Sequence, residues 1–166
     1  MPREPEIITQ ITDTADVSVP GVRVGCRGLI VQDGKILLSH EKKRGTYMTP
    51  GGGLEQGETL EDCCRRELSE ESGYIVNVGD LLFTVDEFVG GREYLSHYFL
   101  CEIIGECERV LTPFEIEGGL EPCRMELDEA IKIFSNRADC NLNKASMYMR
   151  EHTVLTRLKR LLAESK

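Results

Sequence analysis

Residues Gly51–Tyr74 read GGGLEQGETLEDCCRRELSEESGY, six glutamates and one aspartate in a segment that opens on three glycines. The spacing predicts a helix from Thr59 to Ser72. Thr59 can cap its start, with Asp62 three residues on as the partner of a capping box, and Gly73 supplies a left-handed stop. On a wheel that advances about 100° per residue from Leu60, Cys64 and Leu68 fall at about 40° and about 80° and mark an apolar stripe. Glu67 and Glu71, at about 340° and about 20°, lie beside or within that stripe, and Glu70, at about 280°, lies just off its edge. Asp62, Arg65 and Ser69 take the far side, where solvent is expected.

Acidic residues on a helix are ordinarily a solvated face. Here three carboxylates at i, i+3 and i+4 share one side and lean toward the body of the domain. Like charges at that spacing repel, and a low-dielectric neighbourhood raises the cost. A hard divalent cation held by oxygen ligands offsets it. Arg66 can pair with Glu70 one turn on or with Glu58 upstream, and so hold a carboxylate in place. Gly51, Gly52 and Gly53 allow a ligand to approach the backbone closely. Together, glycines, helix start and carboxylates read as a phosphate-and-metal site.

The flanks read as an α/β protein. VRVGCRGLIVQDGKILLSHE gives two apolar runs around Asp33-Gly34, a strong two-residue hairpin signal, and KKRGTYMTPGGG follows as a loop. After the helix, YIVNVGDLLFTVDEFV is one or two strands, Gly90-Gly91 a turn, and EYLSHYFLCEII another strand. CERVLTPFEIEGGLEP is expected as a polar loop, CRMEL as a short strand and DEAIKIF as the opening of a short helix at Asp128. From about Asn143 a longer helix is expected, with Met147, Val154, Leu155, Leu158, Leu161 and Leu162 at helical spacing. Residues 1–20 form a polar leader or edge strand, and residues 21–166 a single domain that includes the C-terminal helix.

Composition narrows the partners. The net charge is −9, with TRLKRLL near the C-terminus as the one basic cluster, so nucleic-acid binding is not expected. A negative protein needs a local device to bind a negative ligand, and a divalent cation is the usual one. No run has the apolar length of a membrane span, so no membrane partner is expected, and the absence of a signal-peptide layout makes a cytoplasmic location the default. The seven cysteines include no CxxC pair and read mostly as small buried residues in a reducing compartment.

The segment Gly52–Tyr74 resembles the Nudix box, G-x5-E-x7-R-E-U-x-E-E-x-G-U with U a bulky apolar residue. Gly52 and Glu58 stand at its first Gly and Glu, Arg66 and Glu67 at RE, Leu68 at U, Glu70 and Glu71 at EE, and Gly73 at the last Gly. Tyr74 stands where an aliphatic residue is usual, and Met48 where many members carry Trp. The resemblance, which covers about Arg23 to Phe134, implies an α/β/α sandwich with a mixed sheet between helices. It implies a MutT-like, metal-dependent hydrolase that cleaves the pyrophosphate linkage of a nucleoside diphosphate joined to another moiety: a nucleotide sugar, ADP-ribose, a nucleoside triphosphate or a dinucleoside polyphosphate. It places Mg²⁺ or Mn²⁺ on Glu67, Glu70, Glu71 and the carbonyl of Gly52. Arg66 orients the glutamates, and Glu58 ties the loop to the helix. Glu67 or Glu70 is the candidate base, and Glu115 and Glu117 are either loop surface or the later glutamates that complete the site in many relatives. Arg27, Lys43 and Arg44 are candidates to meet phosphate, and Tyr47, Met48 and Phe114 to flank a base. A homodimer is the expected assembly. The competing function is a nucleotide sensor of the same fold without catalysis, which the full set of box glutamates disfavours.

Overall fold

The computed structural model describes residues 3–165; Met1, Pro2 and Lys166, at the outer ends of the two expected segments, lie outside the described residues. Nine strands and four helices are described: β1 (Glu6–Ile11), β2 (Val22–Leu29), β3 (Val31–Gln32), β4 (Lys35–Glu41), β5 (Thr46–Met48), β6 (Gly51–Gly53), α1 (Leu60–Ser72), β7 (Tyr74–Val89), β8 (Arg92–Glu106), α2 (Pro113–Gly118), β9 (Leu120–Glu126), α3 (Leu127–Ser135) and α4 (Leu142–Glu164). Asp33 and Gly34 both adopt positive φ, 54° and 77°, and join β3 to β4 as the tight turn that the Asp-Gly pair signals.

The strands form two sheets rather than one. The larger is mixed, in the order β1-β7-β8-β2-β6, with β1 parallel to β7, β2 parallel to β8, and the other pairs antiparallel. The smaller is antiparallel around β4: β9 runs along one of its edges, and β3 and β5 share the other. Ile30 alone separates β2 from β3, so the chain steps from one sheet to the other within one residue. The Leu37 N–H donates to the Ile30 carbonyl at 3.0 Å across that step.

Alternation along the strands sends apolar residues to both faces, as expected of sheets covered on two sides. One core joins Leu29, Ile36, Leu38, Phe83, Val85 and Tyr98 to α3 and α4. The other joins Cys26, Leu37, Val76, Phe99 and Cys101 to Cys63, Cys64 and Leu68 of α1. This is the layered α/β/α sandwich. Gly28 lets α1 approach: a Cβ there would stand 2.4 Å from Leu68 Cδ2. Cys26, Cys63, Cys64 and Cys101 are buried free thiols, while Cys107 is exposed.

Two local readings are corrected. The segment expected as a polar loop contains α2, with Pro113 at its first position and a complete capping box between Thr112 and Glu115. Conversely, Thr59 caps α1 by accepting the Asp62 N–H at 3.1 Å, but Asp62 does not return the bond, because its carboxylate takes Arg65 at 2.7 Å. α4 begins where expected, capped by Asn141, which accepts the Lys144 N–H at 2.9 Å. Among the described residues no helix is long and apolar enough to cross a membrane.

Candidate active site

α1 carries the carboxylates, and its burial follows the wheel. Glu71 is 3% exposed, while the Glu67 side chain is 16% exposed and that of Glu70 38%. Arg66 is the hub. Its Nε and Nη2 donate to both oxygens of Glu58 at 2.7 and 3.0 Å, its Nη1 donates to Glu67 at 2.9 Å and Glu70 at 3.3 Å, and Nη2 also reaches the Gly53 carbonyl at 3.0 Å. One guanidinium thus ties the loop glutamate, two helix glutamates and the glycine strand together. Bidentate geometry makes the Glu58 pair the strongest of these contacts. Hydrogen bonding from Arg66 holds the Glu58 carboxyl down at about 2.

Glu71 turns the other way, under the loop. Its Oε2 accepts the Gly51 N–H at 3.3 Å. Burial pushes its pKa up to about 7, although Ser39, Arg27 and the Gly51 amide all favour the charged form. Burial also raises Glu67, against the pull of Arg66. Among the described residues no three His, Cys, Asp or Glu side chains stand together as a ready cation cage, since Arg66 engages Glu67 and Glu70 while Glu71 faces Gly51.

The strand register decides which glycine carbonyl is available. β6 pairs with β2 through Gly25–Gly53, Cys26–Gly52 and Arg27–Gly51. The Gly28 N–H donates to Pro50, and the Leu54 N–H donates to the Val24 carbonyl. Antiparallel pairs alternate between hydrogen-bonded and non-bonded, so Gly52 occupies a bonded position opposite Cys26 and points its carbonyl into the ladder. By the same parity Gly51 and Gly53 turn off the ladder: the Gly51 N–H donates to Glu71 and the Gly53 carbonyl accepts from Arg66, while the Gly52 carbonyl also accepts from the Cys63 thiol at 3.7 Å. Gly52 matters in another way: a Cβ there would lie 2.4 Å from the Glu67 carboxyl carbon. A set of carboxylates and an off-ladder peptide, all hard oxygen donors around a side-chain-free glycine, suits Mg²⁺ or Mn²⁺.

A cleft of about 370 Å³ opens beside Gly52 and Gly53, with Arg23, Arg27, Tyr94 and Asn143 in its walls. A second cleft shares Asn143 and Met147 with it and contains Arg44, Met48 and Phe114. Arg44 lies 3.6 Å over the Phe114 ring and donates to Glu41 at 2.5 Å and to the Phe114 carbonyl at 3.1 Å. Tyr47 is not brought to these clefts. Side chains alternate along β5, so Thr46 and Met48 face the second cleft while Tyr47 points to the opposite side, stacked on His40 at 3.9 Å in a groove with Tyr148. Arg27 is spent on the loop, where it donates to the Thr49 carbonyl at 2.5 Å. α2 separates the two later glutamates: Glu115 is half-buried, and its charge raises the pKa of Glu67 and Glu71, whereas Glu117 is exposed. Sequence reasoning missed Ser39, Thr49 and Glu151 around the glycine strand, none of which carries a motif.

The family model of the NUDIX domain matches residues 19–144. Over 87 residues the chain is 36% identical to an ADP-ribose pyrophosphatase of Methanocaldococcus jannaschii, covering 49% of this chain and 52% of that protein. Over 79 residues it is 39% identical to an oxidized purine nucleoside triphosphate hydrolase of Danio rerio, covering 43% and 49%. The chain spans about half the length of these curated relatives. The crystal structure of a MutT NUDIX hydrolase from Burkholderia pseudomallei superposes with a TM-score of 0.53 at 29% identity, covering 66% of this chain and 86% of that one. With a family model matched over most of its length and the box residues gathered around Arg66, the chain belongs to the NUDIX family.

Proposed function

We propose that the chain hydrolyses the pyrophosphate linkage of a nucleoside diphosphate joined to another group, with Mg²⁺ or Mn²⁺ at the α1 glutamates. Glu71 is the observation that carries the reading. It is a buried carboxylate set against a glycine peptide, with no Lys or Arg within ion-pair distance among the described residues. Two further carboxylates, Glu67 and Glu70, lie within the preceding turn of the same helix. Glu67, Glu70, Glu71 and the Gly51 carbonyl would hold the cation, which would lower the pKa of an attacking water and offset charge on the leaving phosphate. Glu58 anchors Arg66 to the loop, and Arg66 sets the spacing of Glu67 and Glu70. Glu67 or Glu70 takes the proton from the attacking water. Glu115, half-buried where Glu117 is exposed, would be the later glutamate that contributes. Arg44 would meet phosphate, with Met48 and Phe114 beside a base.

The curated relatives act on ADP-ribose and on oxidized purine nucleoside triphosphates, according to their names. The test is therefore a screen with Mg²⁺ or Mn²⁺ over ADP-ribose, nucleotide sugars, ordinary and oxidized nucleoside triphosphates and dinucleoside polyphosphates, in which the nucleotide product and its phosphorylated co-product are separated by chromatography. Turnover of one class identifies the substrate. Binding without turnover of any of them would favour the sensor.

Glu71 also predicts a proton-linked cation site. A ligating carboxylate must be ionised, so cation uptake below about pH 7 displaces its proton. Calorimetry of Mn²⁺ binding in buffers of different ionisation enthalpy is expected to show release of about one proton per protein at pH 6 and almost none at pH 8. In Glu71→Gln the release at pH 6 is lost. Equal proton release at both pH values would remove Glu71 from the site. The sign for stability follows from the same shift. The folded-state value lies above the ordinary 4.5, so ionising Glu71 penalises the metal-free fold progressively as pH rises from about 4.5 to about 7.

A further inference from the structure

The wall of the cleft beside Gly52 contains a buried polar network to which the proposed chemistry gives no role. α4 inserts Arg150 and Glu151 among its apolar residues, and both are buried. Arg150 donates to Glu87 at 2.8 Å, to the Tyr98 hydroxyl at 2.8 Å and to Glu151 at 3.2 Å. Glu151, fully buried, is surrounded by donors alone. Its Oε1 accepts the Tyr98 O–H at 2.8 Å as well as Arg150, and its Oε2 accepts the Thr49 backbone N–H at 3.2 Å. Arg27 Nε stands 4.0 Å away, and Nη1 of the same guanidinium holds the Thr49 carbonyl.

Both backbone polar groups of Thr49 are therefore held by side chains, and the rest of the segment is held just as closely. The Pro50 carbonyl accepts from Gly28, the Gly51 N–H goes to Glu71, and the Gly53 carbonyl accepts from Arg66. Glu151 reaches this segment from the helix on the sheet face opposite α1. A carboxylate of α4 thus fixes one end of the strand whose other end meets the box.

We infer that Glu151 is a positioning residue: through the Thr49 N–H it sets the Thr49–Gly53 segment, and with it the Gly51 peptide that faces Glu71. The inference rests on the reading of that peptide as part of the cation site. Glu87 separates this role from general support of the fold. It carries the same charge and shares Arg150, but its own bonds go to Arg150 and Ser146, not to Thr49–Gly53.

Glu151→Gln keeps the shape but must turn an amide N–H toward one of the donors. Two measurements on metal-free protein test it: amide hydrogen exchange at Gly51, Gly52 and Gly53, and the Mn²⁺ dissociation constant from the paramagnetic resonance of the free ion. Glu151→Gln is expected to speed that exchange and weaken Mn²⁺ binding, each about 10-fold or more, as loss of a supporting hydrogen bond does at metal sites. Glu87→Gln, matched in charge, is expected to change neither by more than about 2-fold. Equal effects of the two variants, or no effect of Glu151→Gln, overturn the inference. If the unaltered protein takes up no Mn²⁺, the cation reading fails, and the exchange rates alone decide whether Glu151 positions the strand. Should Glu151→Gln not fold, Glu151→Asp, which keeps the charge and shortens the reach, yields the same two readings.

Discussion

Glu70→Gln is expected to lower kcat on the substrate that the screen identifies by about 10²–10⁴-fold, the range for loss of a general base. The fold should be indifferent to the change. The Glu70 side chain is 38% exposed and accepts from Arg66 at 3.3 Å. An exposed pair of that kind contributes about 1 kcal/mol at most, so the melting temperature should move by only a few degrees. Glu67→Gln is the necessary companion, because Glu67 is the other candidate base and is more buried. Mn²⁺ affinity separates the two functions: the variant that retains the cation and loses turnover has lost the base. Turnover of Glu70→Gln within about 3-fold of the unaltered protein would remove Glu70 from the chemistry, since even a modest proton-transfer contribution exceeds that.

The site was legible to the extent that it depends on helical spacing. A wheel ranks Glu71, Glu67 and Glu70 by burial without any coordinates, because α1 is regular from Thr59 to Gly73 and Leu68 packs directly against Gly28. What depends on strand parity was not legible. Whether Gly51 or Gly52 offers its carbonyl, and whether Tyr47 or Met48 faces the cleft, turns on a one-residue register that β2 and β4 impose from outside the segment. The split into two sheets is hidden for the same reason, since Ile30 resembles any other apolar residue in a strand. α2 was a different kind of miss: Thr112, Pro113 and Glu115 spell a capping box in the sequence, but a loop reading weighed composition above spacing.

The charged residues of α4 show the limit of reading apolar stripes alone. Glu151 lies four residues after Met147 and four before Leu155, inside the stripe that marks the helix as core. Like Glu67 and Glu71 on α1, it is an acid set within an apolar stripe. α1 drew attention because its carboxylates cluster, whereas Arg150 and Glu151 neutralise each other in a count of charge and pass as solvated surface.

Arg150→Met is expected to lower the unfolding free energy by about 3–5 kcal/mol, the cost of withdrawing one partner from a buried ion network. The guanidinium is 7% exposed and the Glu87 and Glu151 side chains 4% and 0%, so water does not reach them in its place. Without it Glu87 retains the Ser146 hydroxyl, and Glu151 retains Tyr98 and Thr49, with Arg27 4.0 Å off. Met fills much of the volume, so the loss reports charge rather than a cavity. Urea unfolding of Arg150→Met and the unaltered protein at pH 8 measures the difference. A loss under about 1 kcal/mol at pH 8 would mean that the network relaxes or hydrates once opened, and that α4 is held by its apolar residues alone.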